Sequence, residues 1–149
     1  MKKFYIAVVG SREFGNWKKL GGTEAEAKAE AEEHYILLKG ILDDYIDAEH
    51  MSKFSEGVIV SGGALGADLM GERYAEERDM QTIIHLPDWP RYGRGAGMVR
   101  NKLIIDDAEY VFAFHNGSSK GTMNSIGHAK KANKPYEVLG YNVKKYKEK

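Results

Sequence analysis

Val58-Ile59-Val60-Ser61-Gly62-Gly63-Ala64-Leu65-Gly66-Ala67-Asp68 reads as a strand that ends in glycines and opens a helix. The β-branched run is too short for a helix and suits a buried strand. Glycines let the backbone turn sharply and let a ligand approach it closely. A helix N-terminus then offers unpaired N–H groups and a partial positive charge, which together make an anion cradle. Tyr110-Val111-Phe112-Ala113-Phe114 followed by Asn116-Gly117-Ser118-Ser119-Lys120-Gly121-Thr122 repeats the arrangement. Two such loops in one small chain suggest a single site for a phosphorylated ligand. The first loop is neither a Walker loop, since no Gly-Lys-Ser/Thr follows, nor a dinucleotide GxGxxG. The competing reading of its small residues is a close helix–sheet crossing.

Working outward, five short apolar runs read as strands: Phe4–Val9, Val58–Val60, Thr82–Leu86, Tyr110–Phe114 and Tyr136–Leu139. None alternates cleanly between apolar and polar, which favours strands covered on both faces. Helical patterns lie between them, from about Glu24 to Ala48, Gly66 to Arg78, Ala96 to Ile105 and Thr122 to Ala132. Thr23 and Glu26 form a capping-box pattern before the first helix. Its Ala/Glu-rich opening turns, Glu24 to Glu33, are expected to protrude into solvent. Strict β-α alternation implies an α/β fold: a Rossmann-like three-layer sandwich, with a five-stranded, mostly parallel sheet wrapped by helices on both faces. Right-handed crossovers leave few topologies, of which we choose the Rossmann-like strand order 3-2-1-4-5. Ligands of such sheets bind beyond the carboxyl ends of the strands, at the switch point between strands one and four. Residues 1–143 are expected to form one domain, and 144–149 a charged, frayed tail.

The chain has 149 residues, 42% of them hydrophobic, with 22 basic and 22 acidic side chains. Zero net charge argues against a nucleic-acid partner, because a basic field supplies most non-specific affinity for nucleic acid. Arg91, Arg94, Arg100 and Lys102 form a basic stretch near the expected site. There are no cysteines, and the five histidines lack metal-ligand spacing, so neither a metal nor a cofactor is expected. The N-terminal apolar run is too short for a signal peptide or a membrane span, which points to the cytoplasm.

Candidate site residues cluster at the strand ends. Gly10-Ser11-Arg12 closes strand one, and Ser11 and Arg12 can donate to a phosphate. Ser61, Gly62, Gly63, Gly66 and Ala67 belong to the first glycine loop. Asp68 would repel a phosphate, so it faces a ribose hydroxyl or an arginine; alternatively it is a dipole partner in its helix's first turn. After strand three, Trp89 and Tyr92 can stack on a base while Arg91 and Arg94 hold phosphate. The alternative there is a structured surface loop anchored by Trp89. Arg100 and Asn101 can point back to the strand ends from the third helix. In the second loop, Asn116, Gly117, Ser118 and Gly121 shape the cradle, Lys120 adds charge, and Thr122 caps the helix or bonds a phosphate oxygen. No serine has an evident base-and-orienter partner.

Together these residues resemble the SLOG superfamily, the Rossmann-like group that includes the lonely-guy phosphoribohydrolases and the DNA-processing protein A family. The likeness is greatest to its small YspA-like branch, found in bacteria and phages. It is carried by Val9-Gly10-Ser11-Arg12, Ser61 through Asp68, Gly71-Glu72-Arg73-Tyr74-Ala75, Pro87-Asp88-Trp89, Arg91-Tyr92-Gly93-Arg94, Ala96-Gly97, Arg100-Asn101 and Gly121-Thr122. The resemblance implies a nucleotide-derived or ADP-ribose-like ligand and assembly into dimers or larger oligomers. The stripe Tyr35, Leu38, Leu42 either contributes an interface or, as we prefer, packs on the sheet. The lonely-guy enzymes carry Pro-Gly-Gly-x-Gly-Thr-x-x-Glu. Here His115-Asn116-Gly117 replaces the start, the stretch is longer by a residue, and Ser125 stands at the glutamate's position. Glycosidic cleavage needs a carboxylate. Asp68 or Glu72 are the candidate substitutes, with Arg100 matching the family's arginine. The missing glutamate favours a binder over the two alternatives, an N-glycosidic hydrolase of nucleotides and a single-stranded DNA-binding module.

Overall fold

Alternate residues of one strand enter two different cores. In β1 (Phe4–Gly10), Phe4, Ile6 and Val8 face one side of the sheet while Ala7 and Val9 face the other. This period of two, buried on both faces, is what an interior parallel strand requires. The structure is a computed structural model that describes residues 2–145. Its other strands are β2 (Gly57–Ser61), β3 (Gln81–Ile84), β4 (Tyr110–Phe114) and β5 (Tyr136–Leu139). They form one sheet in the order β3-β2-β1-β4-β5, with every neighbouring pair parallel. The expected topology and fold class are therefore those observed.

The helices are α1 (Glu24–His50), α2 (Ala67–Glu77), a single turn α3 (Trp89–Tyr92), α4 (Ala96–Asp107) and α5 (Lys120–Lys131). Tyr35, Leu38, Leu42 and Ile46 of α1 and Tyr74 and Ala75 of α2 join Ile6, Val8, Ile59, Phe112 and Phe114 in one core. Ile104 and Ile105 of α4 and Ala129 of α5 pack on Ala7, Val9, Val60, Val111 and Ala113 in the other. The Tyr35 stripe thus lies on the sheet, as preferred. No helix among the described residues is long and apolar enough to cross a membrane.

Three expectations are corrected. β3 stops at Ile84 rather than Leu86, because its only partner β2 ends at Ser61, opposite Ile84, and turns into the glycine loop. The outer strands are covered less than the inner ones: Ile84 and Val138 are exposed. The opening turns of α1 face solvent on one side only. The capping box of Thr23 and Glu26 forms, but Ala27, Glu30, Ala31 and His34 are buried.

What buries those turns is a clasp at the end of the described chain. His34 Nδ1 accepts the backbone N–H of Gly15 at 2.9 Å, and its Nε2 lies 3.0 Å from the carbonyl of Asn142. Its ring stacks on Phe14 and meets the edge of Tyr141. Lys144 donates its backbone N–H to Glu30 Oε1 and pairs with Glu33. Of the expected tail, residues 146–149 lie outside the described residues.

Candidate functional site

The carboxyl ends of β1 and β4 open into a cavity of about 480 Å³ at the switch point of the sheet. It is lined by the end of β1, by the segments that follow β1, β2 and β4, and by residues of α2, α4 and α5. Gly10, Ser11, Arg12, Asp68, Arg100, Asn101, Asn116, Gly121 and Thr122 of the expected site all line it. The remaining expected residues do not.

The first glycine loop is occupied by its own side chains. Ser61 is buried; its hydroxyl donates to Glu72 Oε2 at 2.8 Å and accepts the N–H of Gly63 at 3.3 Å. Glu72 is thereby a partner of Ser61 and no lining residue of the cavity. Asp68 turns its carboxylate back onto the loop, where Oδ2 accepts the N–H of Ala64 at 3.2 Å. The amides that would cradle a phosphate thus hold a carboxylate of the chain itself. Burial pushes the pKa of Asp68 up to about 6, against the opposing effects of the Ala64 amide and the Arg100 charge.

Gly62 has no side chain because Arg100 lies where one would be. A Cβ there would sit 2.5 Å from Arg100 Nη1 and 2.8 Å from Asp68 Oδ2. Gly66 caps α2 at φ +94°, and a Cβ on it would meet the Arg12 backbone at 2.5 Å. Ala67 Cβ lies 2.7 Å from the position a Cβ on Gly10 would take. Gly66 and Ala67 therefore serve the close crossing of α2 over β1.

The second loop is built around Asn116. Its Oδ1 accepts the N–H groups of Ser118 and Ser119, both at 2.9 Å, and its own N–H donates to Ser11 Oγ at 3.1 Å. Ser119, not Thr122, caps α5: Ser119 Oγ accepts the Thr122 N–H and the Thr122 hydroxyl. Gly117 and Ser118 shape the turn but line no part of the cavity. Ser11 is a staple, since its N–H donates to Phe114 and its carbonyl accepts the N–H of Ala67.

The cavity's charges come from Arg12, Lys19 and Arg100 against Asp68 and Glu13. Arg100 donates to the Gly62 carbonyl at 2.7 Å and to Asn101 Oδ1 at 3.0 Å. Burial lowers its pKa; Asp68 opposes this, and the facing Arg12 charge adds to it. None of these three cations forms an ion pair among the described residues. Ser125, at the position of the lonely-guy glutamate, is buried and lines the cavity.

Lys19 and Glu13 were missed by sequence reading. Both lie in the irregular stretch after β1, and no motif marks them. Glu13 Oε1 accepts from Asn116 Nδ2 and from the Tyr141 hydroxyl, each at 3.1 Å. Trp89, Arg91 and Arg94, by contrast, line no part of the cavity. Trp89 is 53% exposed, so it is not a packed anchor either. Lys102 pairs with Asp106, so the basic stretch does not act as one patch.

Known proteins bear on this geometry. The Gene 61 protein of Mycobacterium phage D29 is 34% identical over 106 residues, which cover 67% of this chain and 84% of the phage protein. DNA processing protein A from Helicobacter pylori has a similar fold, with a TM-score of 0.58 at 22% identity over 95% of this chain and 67% of that one. DNA processing protein A from Streptococcus pneumoniae gives 0.55 at 17% identity, over 92% of this chain and 50% of that one. This chain therefore spans half the length of the S. pneumoniae protein. The H. pylori structure is described by that protein's single-stranded DNA binding mode. This overturns the expectation that nucleic acid is an unlikely partner. Net charge averages over the whole surface, whereas three unpaired cations here converge on one cavity. A model described as the YspA, cpYpsA-related SLOG family matches residues 4–92, and with it the chain belongs to that family.

Proposed function

We propose that the protein binds a phosphorylated, nucleotide-derived ligand in the cavity at the carboxyl ends of β1 and β4. The observation that carries this reading is the placement of Arg12 and Arg100 on one cavity with no carboxylate bonded to either. Two like charges held near each other, one of them partly desolvated, are costly without an anion. A phosphate between them removes the repulsion and accepts charge-assisted hydrogen bonds. Lys19 adds a third cation, and Gly121 and Thr122 present the start of α5 to the same space. Membership of the SLOG family supports the reading.

The test is a thermal-shift and calorimetric screen with AMP, ADP, ADP-ribose and NAD. A ligand that binds only the folded state raises Tm by mass action. The expected result is a rise with at least one of the four, lost in Arg12→Ala and Arg100→Ala. No rise at millimolar ligand, or a rise undiminished in both variants, overturns the reading.

A second reading is supported by the exposed segment Trp89–Arg94. Trp89 and Tyr92 are 53% and 41% exposed and alternate with the exposed Arg91 and Arg94. Aromatics interleaved with arginines suit a stacked single strand. Oligothymidylate affinity that falls steeply with salt and drops in Trp89→Ala supports it. Affinity unchanged in that variant removes it.

A further inference from the structure

The cavity holds a carboxylate that its phosphate chemistry does not explain. Glu13 follows Arg12 directly, so their Cα atoms are about 3.8 Å apart, and both line the cavity. A carboxylate beside an anion clamp repels the anion. Asp68 escapes this by turning its carboxylate away onto the Ala64 amide. Glu13 has no such arrangement. Its Oε1 is held by two neutral donors, the Asn116 amide and the Tyr141 hydroxyl. Its Oε2 accepts from no group among the described residues, and neither Arg12 nor Lys19 forms an ion pair with it. The side chain is thus fixed at one oxygen and open at the other.

Neither donor to Oε1 is local. Tyr141 is held by the clasp on Phe14 and His34, and Asn116 is held by Ser11 and its own turn. Two distant elements converge to aim one carboxylate, which is the preorganisation a recognition group needs.

We propose that Glu13 reads the ribose of the bound nucleotide, its free oxygen accepting hydrogen bonds from the sugar hydroxyls, so that the cavity selects ribonucleotides over deoxyribonucleotides. This rests on the nucleotide-ligand reading given above. The chemistry of the ligand selects the sugar. A group adjacent to the phosphate clamp meets what is adjacent to the phosphate, and in a nucleoside 5′-phosphate that is the ribose. The base, with its amino groups, lies farther away. A hydroxyl donor also satisfies the carboxylate without neutralising the cations that hold the phosphate. A site that expects a hydroxyl rejects the analogue lacking one, because its own polar group is then left unpaired.

The experiment is calorimetric titration of ADP, 2′-deoxy-ADP, 3′-deoxy-ADP and inosine diphosphate into the wild type, Glu13→Gln and Tyr141→Phe. In the wild type, ADP and inosine diphosphate are expected to bind alike, and at least one deoxy analogue about tenfold or more weaker. In Glu13→Gln that ratio falls toward one. In Tyr141→Phe, which keeps the charge but releases its orientation, the ratio falls part of the way. This second variant keeps the test decisive if Glu13→Gln fails to fold. Equal binding of all four nucleotides, or a ribose preference intact in both variants, overturns this inference alone. A Glu13-dependent loss of inosine diphosphate also overturns it, since the carboxylate then reads the base. No binding of any nucleotide to the wild type overturns the ligand reading together with this one.

Discussion

Arg100 Nη1 donates to the carbonyl of Gly62 at 2.7 Å, so α4 is tied to the first glycine loop through a residue with no side chain. The guanidinium fills the space where a Cβ would stand. The glycine makes room for a cation of the chain rather than for a ligand. Arg100 is thereby fixed at the cavity wall without neutralisation.

Gly62→Ala is therefore a binding variant more than a folding variant. The new methyl would displace Arg100 Nη1 from 2.5 Å, and a flexible side chain can yield. Nucleotide affinity is expected to fall about tenfold or more through loss of an aimed charge-assisted donor. The Tm change should be small. Titration calorimetry beside a melting curve separates the two effects.

Gly66→Ala is expected to behave in the opposite way. Its φ of +94° and the Arg12 backbone at 2.5 Å leave no side chain that can yield. A loss of about 2 kcal/mol or more in urea-unfolding stability is expected.

Asp68 sets a pH dependence that can be isolated. Its pKa in the fold, about 6, lies above the ordinary 3.8 because of burial. The folded state therefore favours the neutral carboxyl. This contribution is fully present below about pH 4 and is lost as pH rises through about 6. The corresponding free energy is about 3 kcal/mol. Asp68→Asn stays neutral throughout and keeps an acceptor for the Ala64 amide. Its stability relative to the wild type should rise by about 2–3 kcal/mol between pH 4 and pH 7. Urea titrations at four pH values in that window test this; a flat difference contradicts it.

His34→Ala should loosen the clasp. It removes the acceptor of the Gly15 N–H and a ring packed on Phe14 and Tyr141. A cost of about 2–4 kcal/mol is expected from the unpaired amide and the lost packing. Faster hydrogen exchange at Gly15, measured by NMR, reports the same event locally.

At the start of α1, Thr23→Ala removes one half of the capping box, in which Thr23 Oγ1 accepts the Glu26 N–H at 3.1 Å. A loss of about 1 kcal/mol in unfolding free energy is expected.

The sheet was legible because its evidence is local and repeated: apolar β-branched runs such as Val58–Val60 alternate with helical patterns, and handedness leaves little choice of order. Nine expected site residues line the cavity because strand ends are where such sheets hold ligands. The glycines misled in part, since composition does not separate a close backbone crossing, as at Gly66, from a ligand cradle. Trp89 and Arg91 misled because side-chain direction in an irregular segment has no period to read. Glu13 escaped because its place in the cavity depends on partners far along the chain, Asn116 and Tyr141, and Lys19 because no motif marks the segment after β1. The opening turns of α1 look solvent-facing by composition, and segments outside the helix, the returning one at Asn142 and Lys144 among them, bury one face of its first half.

The bond between Tyr141 and Glu13 spans 128 positions, and every strand pairing in the sheet is parallel. The framework of the cavity therefore depends on contacts with slow loop closure. It comes into being with the completed sheet and not on any shorter stretch of chain. A ligand of this cavity has no early intermediate to grip. It should leave the refolding rate unchanged and act by slowing the unfolding rate.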